Sequence, residues 1–392
     1  MSGASAPHIY LVAGEDSGDR LAAALIAAIR ERIPTAQISG VGGPLMAAQG
    51  VPSPFPLGDL AIIGFAAVAT GLPKILRRIR QTADAVIAAR PDVLVIIDSP
   101  EFTHRVARRV RTQAPSIAII DYVCPSVWAW RPGRARAMRS YIDHVLALLP
   151  FEPAVMQKLA GPPCSFIGHP LGERATQLRP NSAETVRRME DPPLLLVLPG
   201  SRASEIRRMA SLFGAAAALV ADRVGRMEVV VPAVPRLVGM VKTAVASWRV
   251  PARVVSEPSE KDAAFRAARA ALTKSGTSTL ELAVAGIPMV AAYKVPLFEE
   301  VIARLLIKVD TVILANLALG EKAVPELIQR DFTAERAAAE LLPLLRDGPE
   351  RKRQIEAFAR LDDIMEIGRA VPSARAAALV LDFAYRAVRP KV

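Results

Sequence analysis

Apolar and polar positions along this chain fall into blocks of two kinds. Short runs rich in Val, Ile and Leu stop abruptly at Gly, Ser, Pro or Asp, while longer segments repeat apolar residues at three- and four-residue spacing. The short runs predict strands at 8–13, 92–97, 117–122, 144–149, 194–198, 228–231, 253–255, 271–273 and 289–292. The longer segments predict helices between them; from Arg20 to Arg32, for example, Leu21, Ala24, Leu25, Ala28 and Ile29 share one face. Strands alternating with helices define an α/β protein with parallel sheets. The pattern pauses from Glu173 to Pro193, a polar, proline-flanked stretch predicted as a linker, and restarts at Leu194. A helix is also predicted from Tyr293 to Arg304, and a short strand from Thr311 to Asn316. A chain of 392 residues is long for one core, so two domains are expected. They are placed at 1–175 and 190–345, with helices at 346–392 packing back on the first domain or on a partner subunit.

The chain is organised around Ala271 to Val290, which reads strand, tight turn, helix, strand. Thr277, Ser278 and Thr279 fall where a helix has unpaired N–H groups and the positive end of its dipole. Ser275 and Gly276 just before them let backbone approach an anion closely, which makes the turn a candidate phosphate seat. Glu281, one turn in, is placed to reach sugar or ribose hydroxyls. An ordinary capped helix after a core strand is the bland alternative. A second such turn follows the strand at 194–198. There Gly200 and Ser201 offer backbone N–H groups, and Arg202 is a cation able to pair bidentately with phosphate. Two phosphate-type turns in one half favour the nucleotide reading.

The first half opens with a strand, the turn Gly14-Glu-Asp-Ser-Gly-Asp19 and a helix, but lacks the Gly-x-Gly-x-x-Gly dinucleotide spacing. Gly14, Glu15, Ser17 and Gly18 are candidates to line a crevice at the carboxyl end of that strand. Asp98 ends another buried strand just before Pro100, a position that projects a carboxylate toward ligand; it is a candidate general base, or else a helix cap. Asn316 ends the predicted short strand on an amide and is a further candidate. Trp128 and Trp130, bracketed by Pro125 and Pro132, predict a rigid loop, and Arg105, Arg108, Arg109, Arg111, Arg131, Arg134, Arg136 and Arg139 a basic face.

A net charge of +12, with pI near 10.1, draws the surface to polyanions. Nucleic acid is disfavoured as that partner, because there is no recognition-helix motif and only 5% of residues are aromatic. No apolar run reaches the ~18 residues of a membrane span. Leu60 to Pro73 is uncharged, however, and leads into Lys74, Arg77, Arg78 and Arg80, which is how a segment lying on an anionic membrane looks. Ile62, Ile63, Phe65, Val68, Leu72, Ile75 and Leu76 are the candidate contacts, with a core helix as the alternative. Cys124 and Cys164 have neither zinc nor disulfide-framework spacing, so a reducing cytosol is expected. The short polar start from Met1 to Pro7 is not expected to be a signal peptide.

Several blocks in order carry a closer resemblance. They are Gly14-Glu-Asp-Ser-Gly-Asp19, Ile97-Asp-Ser-Pro-Glu-Phe102, Pro125-Ser-Val-Trp-Ala-Trp-Arg131, Leu149-Pro-Phe-Glu-Pro153 and Gly168-His-Pro-Leu171 in the first half. Leu198-Pro-Gly-Ser-Arg202, Ser204-Glu-Ile206, Ser275-Gly-Thr-Ser-Thr-Leu-Glu281, Asn316-Leu317 and Val324-Pro-Glu-Leu-Ile-Gln329 follow in the second. Over nearly its whole length the chain resembles the lipid-A-disaccharide synthase family of two-domain glycosyltransferases. The resemblance implies two Rossmann-like doubly wound domains facing a central crevice, the GT-B fold. It implies inverting transfer from UDP-2,3-diacylglucosamine to 2,3-diacylglucosamine 1-phosphate, without metal or cofactor, giving a β-1,6-linked disaccharide 1-phosphate and UDP. Asp98 would then be the base and Arg202 a catalytic cation, at the cytoplasmic face of an inner membrane. The implied partners are the two lipid substrates and the membrane surface, with a second copy of the chain as a further candidate. Ala67 and Ala315 depart from the family's usual Glu and Pro, Cys124 from a common Ser, and Gly320-Glu-Lys322 from its usual run. The rival readings are a UDP-GlcNAc 2-epimerase, a peptidoglycan-precursor transferase, a nucleic-acid binder and a non-catalytic nucleotide-binding module.

Overall fold

A computed structural model describes residues 6–60, 65–296, 300, 309–369 and 371–388, leaving out the side chains of 65–72, 387 and 388. Two compact units divide the chain. The first is Met1–Pro170 with Arg369–Val392, and the second is Leu171–Gly368.

The first unit holds six parallel strands: β1 (His8–Ala13), β2 (Gln37–Val41), β3 (Val93–Ile97), β4 (Ala118–Tyr122), β5 (His144–Ala147) and β6 (Cys164–Phe166). They lie in the order β2-β1-β3-β4-β5-β6. Because helices cover both faces, the central strands are apolar on both sides rather than alternately, with Asp121 in β4 a buried exception. Ile9, Leu11 and Ala13 pack on one side with helix α1 (Asp16–Arg32) and the C-terminal helix Pro372–Val388. Tyr10 and Val12 pack on the other with helices α2 (Phe65–Ala89) and α3 (Pro100–Gln113). The last fifty residues therefore divide: helix Pro349–Ala359 stays in the second unit, and only Pro372–Val388 belongs to the first.

The second unit repeats the plan with β7 (Leu194–Leu198), β8 (Glu228–Pro232), β9 (Arg253–Val255), β10 (Ala270–Lys274), β11 (Met289–Tyr293) and β12 (Glu326–Ile328). Their order is β12-β11-β10-β7-β8-β9. Helix α4 (Ala203–Val224) lays Ile206, Met209, Phe213 and Ala217 on Leu195 and Val197, and Phe332 meets the Phe213 ring edge-on at 5.4 Å.

Several expectations need correction. The stretch from Glu173 to Pro193 is not an open linker: helices Leu171–Leu178 and Ser182–Arg187 run through it. Its arginines tie it down. Arg188, 7% exposed, donates to the carbonyls of Arg266, Phe265 and Ala285. Thr311 to Asn316 is not a strand, because Leu314–Leu319 is helical, with Thr311 Oγ1 accepting from Ile313 N ahead of it. Tyr293 ends β11 instead of starting a helix, and most of the helix predicted to Arg304 lies outside the described residues. Strands β2, β6 and β12 were not predicted.

The apolar stretch has a mixed outcome. Ile62 and Ile63 lie outside the described residues; Phe65, Val68 and Leu72 fall on the backbone of α2, which continues through Pro73. Further along, Ile79, Ala83 and Val86 are core, Ile75 packs on them, and Leu76 is exposed. Asp59 holds two of the four basic residues, Lys74 at 2.6 Å and Arg78 at 2.5 Å, while Arg77 and Arg80 face solvent.

Candidate functional site

In an open parallel sheet, ligands gather beyond the carboxyl ends of the strands where the strand order reverses. Here each sheet has one such point. In the first it lies between β1 and β3, whose ends pair Ala13 with Ile97; in the second, between β7 and β10, which pair Leu198 with Thr273. The four turns that leave these strands carry the candidate general base, Arg202 and most of the candidate UDP-binding residues, though not Glu281 or Asn316.

At the first point, the turn after β1 brings Ser17 and Gly18 against Asp98 after β3 and Gly14 against Ser99, while the Glu15 side chain is exposed. Ser17 Oγ donates to Asp98 Oδ2 at 2.6 Å, and Ser99 N donates to Asp98 Oδ1 at 2.7 Å. The glycines are required by space. A Cβ on Gly14 would lie 2.5 Å from Ser99 Cβ, and one on Gly18 3.0 Å from the Ile97 carbonyl. Asp98 and Ser99 are left-handed, with φ of 56° and 48°, at a cost of about 1–3 kcal/mol each. That conformation is held by Asp98 N donating to Tyr122 O and by Thr103 Oγ1 donating to Asp98 O. The outcome is a half-buried carboxylate fixed in direction at a strand end. The Gly-rich loop from Gly40 to Pro44 is not open to an anion, since Asp19 accepts from Gly43, Leu45 and Met46 N–H.

Behind Asp98 lies a buried polar network that sequence reasoning missed. Asp121, 1% exposed, sits 3.0 Å from His104 Nε2, close but not aligned as a hydrogen bond. His104 Nδ1 in turn meets Tyr141 OH, to which Arg108 donates. Burial raises the Asp121 carboxyl above the usual carboxylate range. The signal was a single acid inside the apolar run of β4. Nearby, Trp128 Nε1 and Leu149 N donate to Glu152, whose carboxyl burial pushes up to about 7. This pins the tryptophan loop. Its other end carries Arg131 and Arg134, which donate to Glu101 at the start of α3. Burial works against the Glu101 carboxylate, but Arg134, Arg131 and Arg105 hold its pKa below the usual range. Cys124 and Cys164 are free thiols, and a hydrogen bond with Cys164, together with burial, pushes the Cys124 thiol up.

At the second point, Gly276, at φ 148°, turns the chain into helix α5 (Thr277–Val284) with no side chain capping it. Thr277 is exposed and Ser278 half-buried, so the helix N-terminus faces outward. Buried Thr279 donates to Gly276 O, and Ser275 Oγ donates to Val312 O. Both hydroxyls thus shape the turn. In the other turn, Ser201 and Arg202 N–H donate to Glu205 Oε2, so these amides are not open to phosphate as expected. A Cβ on Gly200 would lie 2.5 Å from that oxygen. Glu205 Oε1 also pairs with Lys274 Nζ at 3.0 Å, linking the two turns, and the Arg202 side chain remains exposed. Glu281 is half-buried. Asn316 is 1% exposed and spends its amide on Val324, donating to its carbonyl and accepting from its N–H. It clamps the loop before β12.

The overall fold matches UDP-GlcNAc 2-epimerase from Neisseria meningitidis bound to UDP-GlcNAc with a TM-score of 0.63 at 11% identity, covering 97% of this chain and 100% of that one. It matches MurG from Acinetobacter baumannii with a TM-score of 0.59 at 14% identity, covering 96% and 99%. Two doubly wound parallel sheets, each with its turns gathered at a switch point, make this a protein of the GT-B fold. A family model described as lipid-A-disaccharide synthetase matches residues 9–381. Lipid-A-disaccharide synthases from Nitrobacter hamburgensis, Rhodopseudomonas palustris and Rhodospirillum centenum are 56%, 55% and 43% identical. The matches cover 96%, 95% and 95% of this chain and 96%, 95% and 94% of those proteins. The chain belongs to the lipid-A-disaccharide synthetase family.

Proposed function

We propose that this chain is a glycosyltransferase that joins UDP-2,3-diacylglucosamine to 2,3-diacylglucosamine 1-phosphate. Asp98 takes the proton of the acceptor 6-hydroxyl as that oxygen attacks the donor's anomeric carbon. The bond from that carbon to the diphosphate breaks on the opposite side, so a single displacement inverts the centre. UDP departs with its charge stabilised by Arg202 and by the N–H groups opening α5, while Glu281 holds the ribose hydroxyls. The observation that carries this reading is Asp98 itself, a carboxylate aimed by Ser17 and a strained backbone at a switch point, in a chain of this family.

Asp98→Asn tests it. Asn tolerates the left-handed conformation and still accepts from Ser99 N, and Ser17 can accept from its amide. With the two acylated glucosamines, kcat measured by UDP release is expected to fall by about 10²–10⁴, with UDP affinity kept. Near wild-type kcat would remove Asp98 from the reaction. Release of UDP from donors without acyl chains, by the unmodified chain, would favour an epimerase or a peptidoglycan-precursor transferase instead.

The acyl chains of both substrates also support peripheral attachment to a membrane, on the cytoplasmic side, through Leu60 to Pro73 with the cations from Lys74 to Arg80. Among the described residues no helix is long and apolar enough to cross a membrane.

A further inference from the structure

We propose that Arg131 and Arg134, gathered with Arg105 around Glu101, form a subsite for the phosphate monoester of the acceptor. The inference rests on the reaction proposed above and adds the residues that read one end of the acceptor.

Three guanidiniums share one carboxylate here. Arg134 and Arg131 donate to Glu101 Oε1, and Arg105 Nη2 lies 3.7 Å from Oε2. The cluster keeps an excess of positive charge at a place where a dianion is the natural partner. Arginine suits it, because its planar fork pairs bidentately with phosphate oxygens. The Arg134 side chain is only 16% exposed, so it is held in place, whereas Arg131 is 52% exposed and open to ligand. Both lie against Trp130, at 4.4 Å and 5.8 Å from its ring centroid, which fixes the planes of the guanidiniums.

The backbone is built to present them. Arg131 is left-handed at φ 52°, a conformation an arginine adopts only where its surroundings impose it. The loop is anchored on one side by buried Val127 and on the other by Trp128 donating to Glu152. Left-handed backbone thus recurs on this side of the sheet, at Asp98 and Ser99 after β3, at Val123 after β4 and at Arg131 further along the same loop.

Position supplies the identity of the ligand. Glu101 is three residues from Asp98, so their Cα atoms are at most about 11 Å apart. The acceptor carries its nucleophilic 6-hydroxyl, on the C5 substituent, and its 1-phosphate on C1, the two carbons that flank the ring oxygen, so both groups project from the same edge of one sugar ring. A base at Asp98 and cations around Glu101, held this close in the chain, can meet both groups of one sugar. Without substrate, Glu101 keeps the guanidiniums aligned; with it, the phosphate takes over their outward N–H groups.

The test uses the full chain, UDP-2,3-diacylglucosamine and two acceptors, 2,3-diacylglucosamine with and without the 1-phosphate. For Arg131→Gln and Arg134→Gln, kcat/KM with the phosphorylated acceptor is expected to drop about 10- to 100-fold. It should stay level with the unphosphorylated acceptor, and the donor KM should not move. An equal drop with both acceptors, or no drop, overturns the subsite. Arg131→Gln, at an exposed side chain, carries the test if Arg134→Gln does not fold. If the variants keep their acceptor preference but lose binding to phosphatidylglycerol vesicles, the cluster serves lipid headgroups and the proposal is wrong. A wild-type chain that makes no disaccharide from either acceptor would instead sink the proposed reaction.

Discussion

Single atoms decide whether the strand-end carboxylate points correctly. Gly14→Ala puts a methyl group 2.5 Å from Ser99 Cβ, so Ser99 and Asp98 must shift. A displacement of that order costs about 10²-fold in rate. Gly14→Ala is therefore expected to lower kcat about 100-fold while UDP still binds, as checked by steady-state kinetics and calorimetry. Glu152 gives a prediction in pH. Its folded pKa, about 7, lies above the ordinary 4.5, so between those values the native state holds a proton that the unfolded state has lost. Stability from this residue is present at pH 4.5 and is lost as pH rises to 7, by about 3 kcal/mol. His169 acts in the opposite sense: burial lowers its pKa to about 4, so its share is lost as pH falls from 6.5 to 4. The His169 share is common to both proteins, so in urea unfolding the stability of Glu152→Gln relative to the wild type should rise from pH 5 to pH 8. The same relative stability at both pH values would place Glu152's titration in the unfolded range.

At the scale of elements, the C-terminal helix Pro372–Val388 completes the first unit by covering one face of its sheet. Ala376, Ala377, Val380, Leu381 and Ala384 are all buried there. Leu381→Ala is expected to destabilise the first unit by about 2–4 kcal/mol. Hydrogen exchange should show the loss in β1, β3 and α1 and spare β7 and β10. Central strands were legible in the sequence because burial on both faces makes them continuous apolar runs. Strands β2, β6 and β12 were not, for the opposite reason. They are edges, two of them only three residues long, and Gln37-Ile38-Ser39-Gly40-Val41 is half polar. The stretch from Glu173 to Pro193 misled because its arginines look solvated, yet Arg188 is buried among carbonyls far away in sequence. Asp98 and the Ser275–Thr279 turn were legible, since strand-end chemistry is local. The Glu205 link to Ser201, Arg202 and Lys274, and the Asp121–His104 contact, depend on side chains meeting across elements, which no spacing reveals.

For the whole molecule, the net charge of +12 matters only where cations are unpaired. Asp59 neutralises part of the cluster on α2, so in the proposed membrane attachment Arg77 and Arg80 are the cations left for anionic lipid. At about 1 kcal/mol each, Arg77→Gln with Arg80→Gln should weaken binding to anionic vesicles roughly 30-fold at low salt. The pair Lys74→Gln with Arg78→Gln should weaken it less. Vesicle flotation at low and high salt distinguishes the pairs, and equal effects would show that the Asp59 contacts do not persist at the surface.

The return of the chain to its first unit also sets an order of events on the ribosome. Residues 171–368 form a continuous unit that can close as soon as they emerge, but the first unit lacks its covering helix until Pro372–Val388 has been made. Roughly 220 residues separate Pro170 from the end of that helix at Val388, a wait of about 11–44 s at 5–20 residues per second. Throughout that interval the face formed by Ile9, Leu11, Leu25 and Ile29 is incompletely covered, so a folding helper that binds apolar surface should engage the N-terminal half of the nascent chain and let go only once Pro372–Val388 has emerged.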